Sequence, residues 1–334
     1  GTVTVTNACT AEGYDGSAVV MSDNATGGLQ VAQGGTLTVT GANSEIQLSD
    51  ADGVTNKLEG NITGTYTGAV IMVGDQAFED LADALAAADA GTDKTVTLLG
   101  DVETTSAITI PEGVTLDGNN FEIKYIGEGI QNGAFITAGG DGVIIQNATI
   151  NTNNGAKHGV NFFNADNGKL SGVTVNGGYW TAVQVIGSTG VVLEDCDLNP
   201  TAVAGDSGKT PYANIEYGLS DSSQSAGGTI PSLTVDNVTF TSGIPQIWVD
   251  QDTVENIKKE MEEAGTSNPT NSQVQEKVNS SITNNNSDDI IVSIELTDGN
   301  VTDSTVDGTD DDDNGGGSHG GGSSVTRYNV TVED

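Results

Sequence analysis

One six-residue pattern constrains this chain more than any other feature. Ile145 to Ile150 (IQNATI), Leu170 to Val175 (LSGVTV), Leu193 to Leu198 (LEDCDL) and Val235 to Phe240 (VDNVTF) are apolar at their first, fourth and sixth positions. The third position holds Asn147, Gly172, Asp195 or Asn237, residue types that tolerate a left-handed backbone. Such a unit predicts a short strand, a tight bend and a second short strand. Leu116 to Ile123 (LDGNNFEI) is a looser fifth copy.

Measured at the last apolar position, the copies are 27 (123 to 150), 25 (150 to 175), 23 (175 to 198) and 42 (198 to 240) residues apart. The first three steps suit one turn of a parallel β solenoid, and the fourth suits one turn plus an insertion. Stacked turns bury a core that no single turn could bury. The expected fold is therefore all-β, a right-handed parallel β-helix. Ala148, Val173, Cys196 and Val238 should stack inward, which makes Cys196 a small buried residue rather than a reactive thiol. Asn151, Asn176 and Asn199 follow the last apolar position in three copies and should form an asparagine ladder.

Helices are expected at both ends of this array. Gln76 to Ala90 (QAFEDLADALAAADA) places Phe78, Leu81, Leu85 and Ala88 on one face, with Asp75 as N-cap and Gly91 as terminator. It would close the open end of the first turns. Beyond Asp250, Thr253 to Ala264 reads as a second helix, with Val254, Ile257 and Met261 aligned. Ser272 and Gln275 form a candidate capping box for a third, carrying Val274, Val278 and Ile282. These two would form a small α-helical C-terminal cap, followed by a strand at Ile290 to Leu296.

The expected organisation is an N-terminal β segment (1–73), a capped β-helix (74–250), a helical cap with a strand (251–309), an acidic, glycine-rich linker (310–324) and the start of a next module (325–334). Gly35 to Ile46 (GTLTVTGANSEI) echoes Gly113 to Ile123. The first segment is thus either the tail of a preceding solenoid or a small β domain of its own, and the echo favours the tail.

Charge excludes several functions. With 47 acidic against 10 basic residues the net charge is -37, so nucleic acid and anionic lipid are poor partners. The charges are scattered among Val, Ile and Thr and read as the solvated face of a folded β protein. No run of 18 apolar residues offers a membrane span. Cys9 and Cys196 stand alone, with no Cys/His spacing for a structural zinc. Scarce cysteine and the absence of a signal peptide fit a segment cut from a longer exported protein.

The run from Val73 (VGDQAFEDLADALAAADAGTDKTVTLLGDVETTSAITIPEGVTLDGNNFEI) resembles a segment of large Gram-positive bacterial surface proteins. There a short hairpin, an E-x-L-x-x-A helix, a TVTLL-x-DV strand and an ITI-P-x-GVTLDGN strand lead into a pectin-lyase-like β-helix. The resemblance covers roughly residues 70–250 and rests on structural positions. It implies an exported, wall-associated, adhesin-like role within a multidomain protein.

Because β-helices also carry polysaccharide lyases and hydrolases, catalysis has to be sought residue by residue. The predicted solenoid has no arginine, and its acidity would repel a polyuronate, which disfavours a lyase. Asn151-Thr-Asn-Asn and Lys157-His158-Gly lack the carboxylates of polygalacturonase-type motifs. His158 stands alone, and His319 falls in the linker. Glu194, Asp195 and Asp197 form the one compact acidic group within a turn. They are the candidates for a general acid–base pair, although solvated surface is the preferred reading.

Binding is easier to motivate. Tyr179 and Trp180 lie between turns, and the insertion adds Tyr212 and Tyr217, in a chain with only 4% aromatic residues. Exposed rings there would stack on sugars, whereas buried ones would simply pack beneath the insertion. Trp248 reads as core. Calcium is the ion to consider, with Asp303, Asp307 and Asp310 as candidate ligands, though no EF-hand spacing supports them. The expected role is a non-catalytic display or adhesion module for a glycan or a host or matrix protein. A carbohydrate-active enzyme and a structural spacer are the alternatives.

Overall fold

A computed structural model describes residues 3–5, 8–12, 19–20, 28–40, 45–51, 54–219, 230–296 and 300–309. The chain is mostly β, and three helices interrupt its strands among these residues. Nearly all pairing is parallel and long-range. An eight-stranded sheet runs in chain order through β1 (Ile108–Ile110), β2 (Ile130–Ala138), β3 (Ala156–Phe163), β4 (Thr181–Ile186), β5 (Ile215–Gly218), β6 (Ile247–Val249), β7 (Ile290–Glu295) and β8 (Val301–Val306). A thirteen-stranded sheet takes segments before and between them, among them Thr115–Asp117, Ile144–Asn151, Lys169–Asn176, Val191–Glu194 and Leu233–Asp236.

The repeated six-residue pattern falls into this register. Leu116, Ile145, Leu170, Leu193 and Val235 are successive partners along one column. Ile123, Ile150, Val175, Leu198 and Phe240 form the second column. Ile136, Val160, Val183, Ile215, Ile247 and Val292 form the matching column of the eight-stranded sheet. All of these but Phe240 are buried, and the columns meet in one hydrophobic core. Period-2 alternation turns one face of each sheet to that core and the other outward.

The bends between the paired columns adopt the backbone that the third position suggests. Asn147, Gly172, Asp195 and Asn237 have φ of 49°, 63°, 52° and 50°. An L-residue with a large side chain is strained there, while Gly, Asn and Asp are tolerated. Ala148, Val173, Cys196 and Val238 follow these bends and are buried. Burial raises the Cys196 thiol pKa to about 11, so it stays protonated and unreactive. Asn151, Asn176 and Asn199 are register partners, and Asn199 Nδ2 donates to Asn176 Oδ1 at 3.2 Å. Asn151 Nδ2 donates instead to Glu122 Oε1 at 2.8 Å and its Oδ1 accepts from the Asn153 amide, so the expected ladder is reduced to the Asn199–Asn176 bond.

All three helix starts among the described residues differ from expectation. Ile71–Val73 and Gln76–Phe78 form an antiparallel hairpin through Gly74, whose φ is 55°. The helix α1 is therefore shorter, Leu81–Ala90, and its N-cap is Asp80, whose carboxylate accepts from the Ala82 and Asp83 amides. Asp75, expected to be that cap, sits in the hairpin turn. At the other end α2 spans Gln251–Glu263 with Asp250 as N-cap. The capping box of α3 (Asn271–Asn279) is Thr270 with Gln273, two residues earlier than Ser272 with Gln275. Ile282, expected on α3, belongs to the strand Ile282–Asn284.

Residues ahead of the hairpin form three three-stranded parallel sheets. Each sheet takes one strand from each of three successive passes of the chain. Leu29, Val31, Leu37, Ile46 and Leu48 make a second, smaller core. The hairpin divides the two cores: Ile71 and Val73 face the large one, while Met72 and Ala77 face the small one. Strand alternation lets one short segment seal both. The cysteine at position 9 lies on a strand that pairs with Thr36–Thr40. The expected linker and next module, with Asp310 and His319, lie outside the described residues.

Candidate functional site: an aromatic cluster over Glu216

The outward face of the eight-stranded sheet carries one column of partners, Asn161, Gln184, Glu216, Trp248 and Ser293. Ile247 and Val249 are buried on either side of Trp248, so alternation drives the indole outward. This corrects the expectation of a core tryptophan. Tyr212 leads into β5 and is held by its amide, which donates to Trp180 O at 3.1 Å. Trp180 leads into β4 in the same way, its amide donating to Lys157 O at 2.9 Å.

These placements bring four rings into a row. His158 and Trp180 have centroids 6.2 Å apart, Trp180 and Tyr212 5.8 Å, and Tyr212 and Trp248 6.2 Å. The Lys157 ammonium lies 3.3 Å from the centre of the Trp180 ring, a close cation–π contact. Trp180 and Trp248, the two tryptophans of the whole chain, thus meet across 68 residues (180 to 248) through Tyr212.

Glu216 lies among these rings with its side chain only 15% exposed. Gln184 Nε2 donates to Glu216 Oε2 at 2.7 Å, and the Tyr212 hydroxyl donates to the same carboxylate. Burial raises the Glu216 pKa and nearby Asp250 adds to the rise; the two hydrogen bonds and Lys157 oppose it. His158 Nδ1 approaches Glu216 Oε2 at 3.7 Å. The contact is not an ion pair, because burial and then Lys157 lower the imidazole pKa to about 3 and keep it neutral. His158 Nδ1 bonds instead with Thr181 Oγ1 at 2.6 Å. Burial also lowers the Lys157 pKa, while Glu216 pulls it back up.

The residues singled out from sequence divide sharply. Trp180 and Tyr212 join the cluster. Tyr179 is nearly buried, with Lys209 Nζ 5.3 Å from its ring centre. Tyr217 is fully buried, and its hydroxyl bonds with Pro231 O and Ser281 Oγ, so it is a core residue that no ligand reaches. Its parity on β5 is opposite to that of Glu216.

Glu194, Asp195 and Asp197 lie on the other sheet. Glu194 is bridged to Lys169 at 2.9 Å and accepts from Ser171, and Asp195 accepts from Asn237 at the bend. Their polar contacts are within the scaffold. Asp303 accepts from Ser293 Oγ at 2.8 Å, and Asp307 is exposed. Among the described residues no three His, Cys, Asp or Glu side chains gather as a metal site would require. None of their helices is long and apolar enough to cross a membrane.

Sequence reasoning missed Glu216, Lys157, the partnership of His158 and the outward Trp248. The I-W-V alternation of Ile247 to Val249 carried a signal for the last. No local signal marked the others. No protein-family model matches the chain, and comparison with curated proteins and with solved structures finds no match.

Proposed function

We propose that this chain is a right-handed parallel β-helix of the pectin-lyase-like type, capped by helices and displayed at a bacterial cell surface. There it acts as a non-catalytic adhesin-like module that binds a glycan. Support for the architecture comes from strands alternating between two sheets while buried columns stay in register over five or six passes. Support for binding comes from one observation above the rest. In a chain with only two tryptophans, both stand half-buried on one outer face, joined by Tyr212 above a shielded carboxylate. Half-buried rings beside polar groups suit the apolar and hydroxylated faces of a sugar.

A hydrolase is the second reading, favoured by Glu216. Its pKa is raised beside Asp250, as a general acid requires.

One experiment separates the two. The chain is incubated with plant and mucin polysaccharides, with and without calcium, and both retention and new sugar ends are measured. Retention without new ends, reduced about 10-fold or more by W180A, is the expected outcome. New ends that vanish in E216Q would replace adhesion with hydrolysis. Neither signal would leave a spacer.

A further inference from the structure

We infer that the cluster around Glu216 is an ammonium-recognition cage, and that its ligand is a glycan bearing amino sugars with free amines. This deepens the glycan-binding reading and rests on it. Ring geometry is the first argument. Neighbouring rings in the row are inclined at 86°, 61° and 65°, so they form walls rather than the flat platform that stacks a neutral sugar. Walls of aromatic faces around a negative charge suit a cation.

The protein itself supplies the second argument. Lys157 places its ammonium 3.3 Å from the Trp180 ring centre, under the pull of Glu216. A primary amine is therefore already accommodated, and Lys157 acts as a tethered occupant that a ligand amine replaces.

Charge balance is the third. The ionisable groups facing Glu216 are Lys157 and His158 from β3, Tyr212 from the segment before β5, and Asp250 at the start of α2. His158 is neutral, and nearby Lys209 is 3.6 Å from Asp206. Glu216 thus faces one cation, Lys157, while Asp250 adds negative charge beside it, a balance that favours a second cation and repels an anionic sugar.

The two tryptophans make the test direct, since both lie in the cluster and intrinsic fluorescence reports on it. The full chain is titrated with a glucosamine tetrasaccharide and with its fully N-acetylated counterpart. Salt of about 0.5 M screens non-specific attraction to the acidic surface. The free-amine sugar is expected to bind about 10-fold more tightly or better. E216Q should abolish that preference while changing the overall charge by one unit in 37. K157M should strengthen free-amine binding about 3-fold or more by removing the tethered competitor, a gain that a purely structural lysine would not produce. Circular dichroism establishes that both variants fold.

Equal or tighter binding of the N-acetylated sugar would overturn the ammonium cage and leave glycan binding standing. Binding of a lysine-rich peptide but of neither sugar would overturn the amino-sugar assignment and the glycan reading together. Silence toward all three probes would overturn both as well.

Discussion

The two sheets share one core and one backbone register, yet their outer faces do opposite things. On the thirteen-stranded sheet the outward groups satisfy one another in the open. Asp117 accepts from Gln146 and Asn147 of the next pass, and Lys169 bridges to Glu194. On the eight-stranded sheet Glu216 is withdrawn from water under Trp180, Tyr212 and Trp248, and Asn161 keeps an orphan acceptor. Withdrawing a carboxylate from water is costly, and the open face of the thirteen-stranded sheet avoids that cost by leaving its ion pair partly exposed. The contrast teaches where to look for function in a repetitive fold, namely where the repeat stops satisfying itself.

Several substitutions would break or sharpen this contrast. The largest effect should come from the core that the two faces share. Leu170 stacks between Ile145 and Leu193 with no exposure, so Leu170→Ala should cost about 2–5 kcal/mol in urea unfolding. A loss below about 1 kcal/mol would mean that the columns do not carry the fold.

Next come the bends. Asn147→Ala puts an unfavourable side chain at φ 49° and removes a donor to Asp117, for a cost of about 1–2 kcal/mol. Asn147→Gly should recover part of it, as Gly172 already occupies the equivalent bend.

Glu216 should act through pH. Its folded pKa lies above the unfolded one, so between those two values the folded state binds the extra proton. Stability from this group is therefore highest at low pH and falls as pH rises through that window. E216Q removes the fall. Its melting temperature relative to wild type should be higher at pH 7 than at pH 4, and a reversed trend would show that the fold does not raise the Glu216 pKa. On the opposite face, Lys169→Ala should change stability by under about 1 kcal/mol, since both partners are about a third exposed. A larger loss there would erase the contrast between the faces.

Much of the scaffold was legible from residue types alone. The bend at Asn147, Gly172, Asp195 and Asn237 depends on which residues tolerate a positive φ, and the buried columns depend on alternation within single strands. Both are local properties, so one copy of the pattern already contains them. The N-terminus of α1 was misplaced for a reason that is also local. The apolar face of Ala77, Phe78 and Leu81 fits a helix or a hairpin followed by a helix. The pairing of Gln76–Phe78 with Ile71–Val73, between two cores, decides for the hairpin.

What the sequence determined by itself was a stack of short strands with a small-residue bend, polar outside and apolar inside. Only the tertiary structure decided which side chains gather at the candidate site. Lys157, Trp180, Glu216 and Trp248 come from different passes of the chain, separated by segments of unequal length. Their meeting is set by how sheet register aligns those passes and by how the insertion returns Tyr212 to the outer face. A pKa that depends on burial among such neighbours has no signature in the local sequence, because burial is a property of the assembled stack.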